Sequence, residues 1–332
     1  MSAQTLFFLE IQNTFWNVIT LHRKLILLVF LVLFPAAAAA SAPVVFHIPE
    51  NSKAPYEPVT MAEESPFDPD AALLTIDFID RGAADSILLR CGGESMLVDG
   101  GKYRLREHLL NVFKTLEITH FTYMLNTHAH DDHIEGLISL LLRDYTPDLY
   151  MSCYPDDYQG SDYQTRVREL LAEKNVPYLK IGDGYQFTLG GAQITVFRNE
   201  TPNIDKNQHS IVLKVVFGDS SALLMADAIG RTQQYFLEHY DASVFKADVL
   251  KYPHHGYVNM NYTFLQAVDP AVCVITNSRS AAELADRQLS QRGTPRLYTN
   301  QGVVRMQTDG RSWYVEQMPW AWPPVGDESP AL

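Results

Sequence analysis

The stretch Asn126-Thr-His-Ala-His-Asp-Asp-His133 decides the interpretation of this sequence. It places three imidazoles and two carboxylates within eight residues. Neutral imidazole and carboxylate are the groups that zinc, manganese and iron bind. A tight loop with this spacing can direct His128 and His130 at one cation, and Asp132 and His133 at a second. The pattern therefore predicts a centre for two divalent cations.

The flanking residues place this cluster on a turn between a strand and a helix. Residues 121–126 are apolar and rich in strand-forming types, whereas residues 134–142 carry apolar side chains at helical spacing. In α/β folds, active sites lie at such turns. The competing interpretation is a solvated, histidine-rich loop that binds metal adventitiously. The rest of the sequence argues against it, because further metal-binding residue types follow downstream.

Strand and helix patterns alternate elsewhere in the chain. Residues 73–79, 86–91 and 193–197 have the composition of strands, and residues 162–174 have that of a helix. Such alternation indicates a mixed α/β fold. The 332 residues, of which 46% are hydrophobic, allow one sizeable domain.

Three more strand-like segments end in residues that can bind metal. One ends at Asp99, another at Asp227, and a third runs into the histidine doublet His254-His255. A single aspartate at a strand end is weak support, because aspartate caps turns in many proteins. Together, and in this order, the four elements resemble the metallo-β-lactamase fold superfamily. The resemblance implies an αββα sandwich of two mixed sheets with helices outside, a buried Asp99 that steadies the histidine loop, and an Asp227 that bridges two metals.

Further signatures resemble one subgroup, the ComEC-type DNA-uptake nuclease domains and the related phosphorylcholine esterases. An acidic glycine turn occupies residues 79–86, and Asn207-Gln-His-Ser210 precedes a strand where lactamases have another histidine. The doublet lies in Leu250-Lys-Tyr-Pro-His-His-Gly256, as in that subgroup. The resemblance spans residues 71 to 315. It implies a metal-dependent hydrolase of phosphodiester bonds that uses a metal-bridging hydroxide.

The resemblance also implies residue roles. Asp132 holds metal and orients the hydroxide, and one histidine of the doublet donates a proton to the leaving oxygen. For Asn207 three roles stay open: it binds a substrate oxygen, binds a metal or makes a structural hydrogen bond. The sequence leaves open which member of the doublet is a ligand. The implied cofactors are two divalent cations, with zinc favoured and manganese the alternative. The implied ligands are His128, His130, Asp132, His133, Asp227, His254 and His255, and the implied catalytic residues are Asp132, His254, His255 and Asn207.

One segment departs from the family pattern. Family members carry a further histidine downstream of the doublet, whereas this chain reads Thr276-Asn-Ser-Arg279 there and has no histidine after His255. This leaves open an incomplete second metal site, a substitute ligand such as Asn277 or Ser278, and loss of activity. Two alternative functions stay open: an ester or lactam hydrolase, as elsewhere in the superfamily, and a catalytically weak binding protein at the cell surface, which the absent histidine suggests.

The amino end has the pattern of an export signal. His22-Arg-Lys24 precedes the apolar run Leu25–Phe34, and an alanine-rich segment then offers cleavage sites before Pro43. An uncleaved anchor is the rival, because the apolar stretch is nearly as long as the about 20 residues needed to cross a bilayer. We expect a protein that is secreted or anchored to the outer face of the cytoplasmic membrane. The expected organisation is an export signal or anchor over 1–42, a proline-rich spacer over 43–70, the hydrolase domain over 71–315 and a Pro/Trp-rich tail over 316–332.

Charge limits the class of substrate. The formal net charge is −13, and tight binding of long nucleic acids requires many Lys and Arg contacts to phosphates. We therefore expect no strong binding of long nucleic acid. An oligonucleotide, a cell-wall teichoic-acid decoration and a small phosphodiester all remain candidates. The candidates for a local basic rim around the site are Arg81, Lys102, Arg104, Arg106 and Lys251.

The three cysteines are too few to indicate a disulfide framework. Cys91 and Cys273 lie in apolar, strand-like runs. We expect both to be buried free thiols.

Overall fold

A computed structural model describes residues 44–47, 67–68, 70–155, 158–202 and 204–318. The predicted export signal and most of the predicted spacer and tail lie outside the described residues. Within the described part, no helix is both long enough and apolar enough to cross a membrane.

The first sheet has nine strands among the described residues. Its order is β1-β16-β15-β2-β3-β4-β5-β6-β7, with the run from β4 to β7 parallel. These strands are β1 (Val44–His47), β2 (Leu74–Phe78), β3 (Ile87–Cys91), β4 (Glu94–Val98), β5 (Phe121–Asn126), β6 (Pro147–Ser152), β7 (Tyr178–Lys180), β15 (Val303–Thr308) and β16 (Trp313–Met318).

The second sheet has seven strands in the order β14-β13-β12-β11-β10-β9-β8, and the run from β11 to β14 is parallel. They are β8 (Gln186–Leu189), β9 (Ala192–Phe197), β10 (Val212–Phe217), β11 (Ser220–Leu224), β12 (Val249–Lys251), β13 (Val272–Ile275) and β14 (Arg296–Tyr298). The α-helices are α1 (Arg106–Thr115), α2 (Asp131–Leu141), α3 (Asp162–Glu173), α4 (Gly230–His239), α5 (Tyr262–Val268) and α6 (Glu283–Arg292).

The two sheets pack face to face with helices on both outer faces. The core between them includes Ile76 from the first sheet and Val249 from the second. Helices α1, α2 and α3 cover the first sheet, for example through Leu137. Helices α4, α5 and α6 cover the second sheet, for example through Phe236 and Phe264. The fold is the αββα sandwich of two mixed sheets that the sequence predicts.

Several sequence-based predictions are confirmed at the level of single elements. The strands expected at 73–79, 86–91 and 193–197 and the helix expected at 162–174 match β2, β3, β9 and α3 to within a residue at each end. Cys91 and Cys273 are buried and free.

The ends of the described domain extend beyond the predicted boundaries. Residue 315 falls inside β16, which continues to Met318. Residues 44–47 of the predicted spacer form β1, which pairs in parallel with β16.

The candidate site residues follow the carboxyl ends of strands. Asp99 follows β4, the histidine loop follows β5, Asp227 follows β11 and the doublet follows β12. Parallel neighbours in a sheet end at the same edge, so their terminal loops meet there. This arrangement brings residues far apart in sequence to one site.

Candidate metal centre

Asp227 lies at the centre of the clustered side chains. Its Oδ1 is 3.4 Å from His133 Nε2 and 3.5 Å from His255 Nε2. Its Oδ2 is 3.7 Å from His128 Nε2 and 3.9 Å from His254 Nε2. Ligand atoms about 2.0–2.2 Å from a tetrahedral cation stand roughly 3.4 Å from one another. The atoms around Asp227 are therefore spaced as ligands of shared cations.

The candidate ligands form two groups around Asp227. The group that we call the second pocket consists of Asp132, His133, His255 and Asp227. The carboxylate oxygens of Asp132 lie 3.5 Å from His255 Nε2 and 3.9 Å from His133 Nε2. Both imidazole Nε2 atoms and Asp227 Oδ1 are buried, and no described residue forms a hydrogen bond with them. Buried polar atoms without partners are costly. A bound cation would satisfy all three.

The group that we call the first pocket is assigned from the histidine loop and consists of His128, His130 and Asp227. His128 lies near Asp227, whereas His130 contacts His128 and is not among the sets of ligand atoms from the described residues that lie within 4.8 Å of one another. His128 Nε2 lies 3.1 Å from His130 Nδ1, a separation suited to two ligands of one cation. His128 is fully buried, whereas His130 is half-buried. This pocket is thus more open on the side of His130.

Asp99 holds the histidine loop from below. It is fully buried and accepts hydrogen bonds from Asn126 Nδ2 at 3.0 Å, Thr127 N at 2.8 Å and Thr127 Oγ1 at 2.6 Å. His133 Nδ1 lies 2.7 Å from Asp99 Oδ2, the oxygen that also accepts from Thr127 Oγ1. A proton on Nδ1 leaves Nε2 of His133 free to bind metal. The expectation of a buried Asp99 that steadies the loop is confirmed.

Two glycines permit the close approach of helix α2 to Asp99. Gly100 N donates to His133 O at 2.7 Å, and Gly136 N donates to Gly101 O at 2.9 Å. A Cβ on Gly136 would stand only 1.7 Å from Gly100 O. Any larger residue would push away the first turn of α2, which carries Asp132 and His133.

The other two buried imidazoles are oriented through hydroxyl groups. His255 Nδ1 lies 3.0 Å from Thr276 Oγ1. His128 Nδ1 lies 3.2 Å from Thr127 Oγ1 and 3.3 Å from Ser210 Oγ. Each contact again turns Nε2 towards Asp227. Ser210 is the serine of the Asn207-x-x-Ser210 signature, so its place beside His128 gives that signature a physical role.

The charges of the cluster favour a cation. Burial lowers the pKa of His133, but the carboxylates of Asp227 and Asp99 together outweigh burial and raise that pKa well above its usual value. Burial likewise opposes protonation of His255, yet Asp227 and Asp85 raise its pKa to about 9. Burial, together with the His133 charge, lowers the pKa of His128 well below its usual value. The buried carboxylates thus attract protons to neighbouring imidazoles, and a divalent cation can replace such protons.

The structure separates the two members of the doublet. His255 is buried and faces Asp132 and Asp227. The His254 side chain is 26% exposed, and its Nδ1 finds no hydrogen-bond partner in the described part of the chain. Both residues have left-handed backbone conformations, with φ of 49° and 50°. This sharp turn points the adjacent side chains in different directions.

The sequence-based inclusion of Lys251 in an exposed basic rim is wrong. Lys251 is fully buried, pairs with Asp85 and donates to Ala226 O at 2.9 Å. The sequence did indicate this burial, because Lys251 is a single lysine between Leu250 and Tyr252 in an apolar run. A buried ammonium requires a partner. Asp85 is the partner that the sequence did not identify. The other rim candidates, Arg81, Lys102, Arg104 and Arg106, are exposed or half-buried.

Asn277 and Ser278 make hydrogen bonds within their own part of the structure. Asn277 Nδ2 donates to His255 O at 3.0 Å, and its Oδ1 accepts from Ser278 N at 2.8 Å. Ser278 Oγ accepts from Ala281 N at 3.2 Å. Both side chains therefore already have hydrogen-bond partners, Asn277 through its Nδ2 and Oδ1 and Ser278 through its Oγ. Asn207 lies in a 3₁₀ helix, Asn207–His209, and its buried Oδ1 has no hydrogen-bond partner among the residues described.

Comparison with known proteins gives structural similarity only. No family model and no curated protein matches the sequence. Among solved structures, the metallo-β-lactamase fold protein YhfI from Bacillus subtilis is 14% identical, with a TM-score of 0.47 over 68% of this chain and 96% of that chain. Zinc-bound PqqB from Methylobacterium extorquens is 13% identical, with a TM-score of 0.46 over 68% and 97%. CmlA, a diiron β-hydroxylase from Streptomyces venezuelae, is 15% identical, with a TM-score of 0.43 over 73% and 54%.

Proposed function

We propose that the protein is a metal-dependent hydrolase of phosphodiester bonds. The observation that carries the proposal is the convergence of His133 Nε2 and His255 Nε2 on Asp227 Oδ1, at distances of 3.4 and 3.5 Å. All three atoms are buried and have no hydrogen-bond partner among the described residues. The second pocket would hold one divalent cation and the first pocket another. When bound, such cations lower the pKa of a coordinated water to about 7 and neutralise charge on phosphoryl oxygens.

The side chains around the two pockets have separate tasks. Asp227 belongs to both pockets, and Asp132 closes the second from the first turn of α2. His255 is a ligand, since it is buried and directed at both carboxylates. His254 is half-exposed beside Asp227, so it can donate a proton from its ring to the leaving oxygen of a bound substrate.

The choice of a phosphodiester rests on sequence signatures. Asn207-x-x-Ser210 and the doublet His254-His255 resemble those of nuclease-like and phosphorylcholine esterase domains. The net charge of −13 supports a short or small substrate over a long polyanion. We propose an oligonucleotide, a teichoic-acid decoration or a small phosphodiester as the substrate class.

Hydrolysis by metal-depleted and metal-restored protein tests the proposal. Bis(p-nitrophenyl) phosphate is the first substrate, followed by representatives of the three candidate classes, with p-nitrophenyl acetate and a chromogenic β-lactam as comparisons. We expect diester hydrolysis that returns with zinc or manganese. Preferred cleavage of the acetate or the lactam would favour the alternative hydrolase. Two bound metals without hydrolysis of any substrate would favour a binding protein.

Substitutions in the doublet test the division of roles. His254→Gln should lower kcat by about 10²- to 10⁴-fold, the usual range for a lost proton donor, and leave two metal equivalents bound. His255→Gln should instead remove one equivalent. The reverse pattern would exchange the roles of the two histidines.

We also propose that the protein is exported. The basic residues His22-Arg-Lys24, the apolar run Leu25–Phe34 and the alanines after Pro35 support this; they lie outside the described residues. Amino-terminal sequencing of protein from the native host should give a start near Ser41 or Pro43. An intact Met1 would favour the membrane-anchored form.

A further inference from the structure

A buried ion pair lies directly behind the second pocket. Lys251 is fully buried and Asp85 is 1% exposed, and the two side chains pair with each other. The Lys251 ammonium also donates to the carbonyl of Ala226, the residue before Asp227. A buried charge pair is costly to desolvate and adds little to stability by itself. Its position beside the pocket raises the question of what it does there.

Asp85 contacts the second pocket from two sides. Thr276 Oγ1 donates to Asp85 Oδ1 at 2.8 Å, and His255 Nδ1 lies 3.0 Å from Thr276 Oγ1 and 3.4 Å from Asp85 Oδ1. The Asp85 backbone N donates to Asp132 O at 3.0 Å. A chain of hydrogen bonds therefore runs from the His255 ring through the Thr276 hydroxyl to the Asp85 carboxylate. It directs Nδ1 away from the pocket and Nε2 into it.

We propose that Lys251, Asp85 and Thr276 form a positioning unit that holds His255 for binding the second cation. The inference rests on the proposed metal-dependent function. Partners of this kind orient an imidazole ligand and raise its basicity, and their loss weakens metal binding by about 10- to 100-fold. The segment that lacks the expected late histidine thus supplies, in Thr276, the hydroxyl that orients His255.

Lys251 has a specific task within this unit. Ligand atoms of Asp85, Asp227 and His255 all lie within 4.8 Å of one another. A carboxylate in that position can itself bind a cation. The Lys251 ammonium competes for Asp85 and keeps it as a hydrogen-bond acceptor behind His255. Removal of the ammonium therefore distinguishes a positioning carboxylate from a metal ligand.

Zinc titration of the metal-free protein against a chromophoric chelator tests the unit. The wild type should bind two equivalents. Thr276→Val should weaken the second-pocket equivalent by about 10- to 100-fold and leave the other unchanged. Thr308→Val is the matched control, because Thr308, in β15, is buried and hydrogen-bonded to Ser220; it should leave both affinities unchanged. Equal affinities in the wild type and Thr276→Val would overturn the inference.

Lys251→Met gives a second test, because a positioning role and a metal-binding role of Asp85 predict opposite changes in zinc affinity. The positioning unit requires weaker zinc binding in the second pocket of this variant. Stronger binding, or a third equivalent, would show Asp85 to be a metal ligand and would overturn the inference. If Lys251→Met does not fold, Thr276→Val decides alone. A wild type that binds two zinc ions but cleaves no phosphodiester would overturn the proposed function and leave this inference standing.

Discussion

The two pockets share Asp227 but differ in what holds their other ligands. In the second pocket, His133 donates to the buried carboxylate of Asp99, and His255 is linked to Asp85 through a threonine. In the first pocket, His128 has hydroxyl partners, and His130 is half-buried at the start of α2. One pocket is supported by buried carboxylates, whereas the other is oriented by neutral groups and open on one side.

This difference predicts different affinities for metal. A carboxylate behind an imidazole fixes its orientation and raises its basicity, whereas a hydroxyl mainly fixes its orientation. The second pocket also has four candidate ligands, against three for the first, where His130 is placed by its contact with His128. We expect one tight cation in the second pocket and a weaker one in the first, with activity following occupancy of the weaker one.

The largest effect is expected where the pockets overlap. Asp227→Asn should weaken both cations at once and lower kcat/KM by at least about 10³-fold, since metal stabilisation of the transition state amounts to several kcal/mol. Elemental analysis and diester hydrolysis measure both effects. Asp219→Asn, at an exposed position between β10 and β11, is the control. Loss of a single equivalent would show that Asp227 serves only one pocket.

A substitution in the second pocket alone should have a smaller effect on the rate and should distinguish the two pockets. Asp132→Ala should remove the second cation, leave the first and lower the rate by about 10²-fold, because only one of two charges is lost. Zinc equivalents and kcat measure this. The control is Asp131→Ala in the same helical turn, where the side chain is 51% exposed and pairs with Lys102 at 3.8 Å. An Asp132→Ala protein with two zinc ions would contradict the assignment of this ligand.

The sequence predicted the candidate ligands better than the residues that hold them in place. The histidine loop, Asp227 and the doublet each follow a recognisable strand, so the pattern of apolar residues was enough to order them. The prediction that Asp99 lies buried beneath the loop is confirmed. The alternation of strands and helices was enough to predict a mixed α/β fold, whereas the sandwich was implied by the resemblance to the metallo-β-lactamase fold superfamily.

The partners of His255 were not predictable from local sequence. Thr276 and Asp85 are 191 residues apart in the chain, and no periodicity reports such a contact. Lys251 in isolation resembles any surface lysine; only its place within an apolar strand indicates burial. The absence of a late histidine suggested a missing ligand; in the structure His255 lies beside Asp132 and Asp227, with Thr276 behind it.

The close approach of Gly136 in helix α2 to Gly100, behind the second pocket, leads to a further prediction. Gly136→Ala should destabilise the protein by about 1–3 kcal/mol, because the added methyl group overpacks the contact with Gly100 O. In an ordinary helix the same change stabilises by about 1 kcal/mol. Urea unfolding measures the difference. Gly230→Ala in α4, where a Cβ meets no atom within 4 Å, is the control; a stabilising effect at both sites would refute the packing argument.

The smallest effect is expected behind the first pocket. Ser210→Ala removes one hydroxyl, 3.3 Å from His128 Nδ1, but leaves Thr127 Oγ1 at 3.2 Å on the same atom. The weaker zinc equivalent should therefore lose about tenfold or less in affinity, the lower end of the range for such partners. The tight equivalent should not change. Ser220→Ala is the control, because Ser220 is equally buried and bonded to Thr308. If Ser210→Ala weakened the tight equivalent instead, His128 would belong to the tight site, and the contrast between the pockets would have to be reversed.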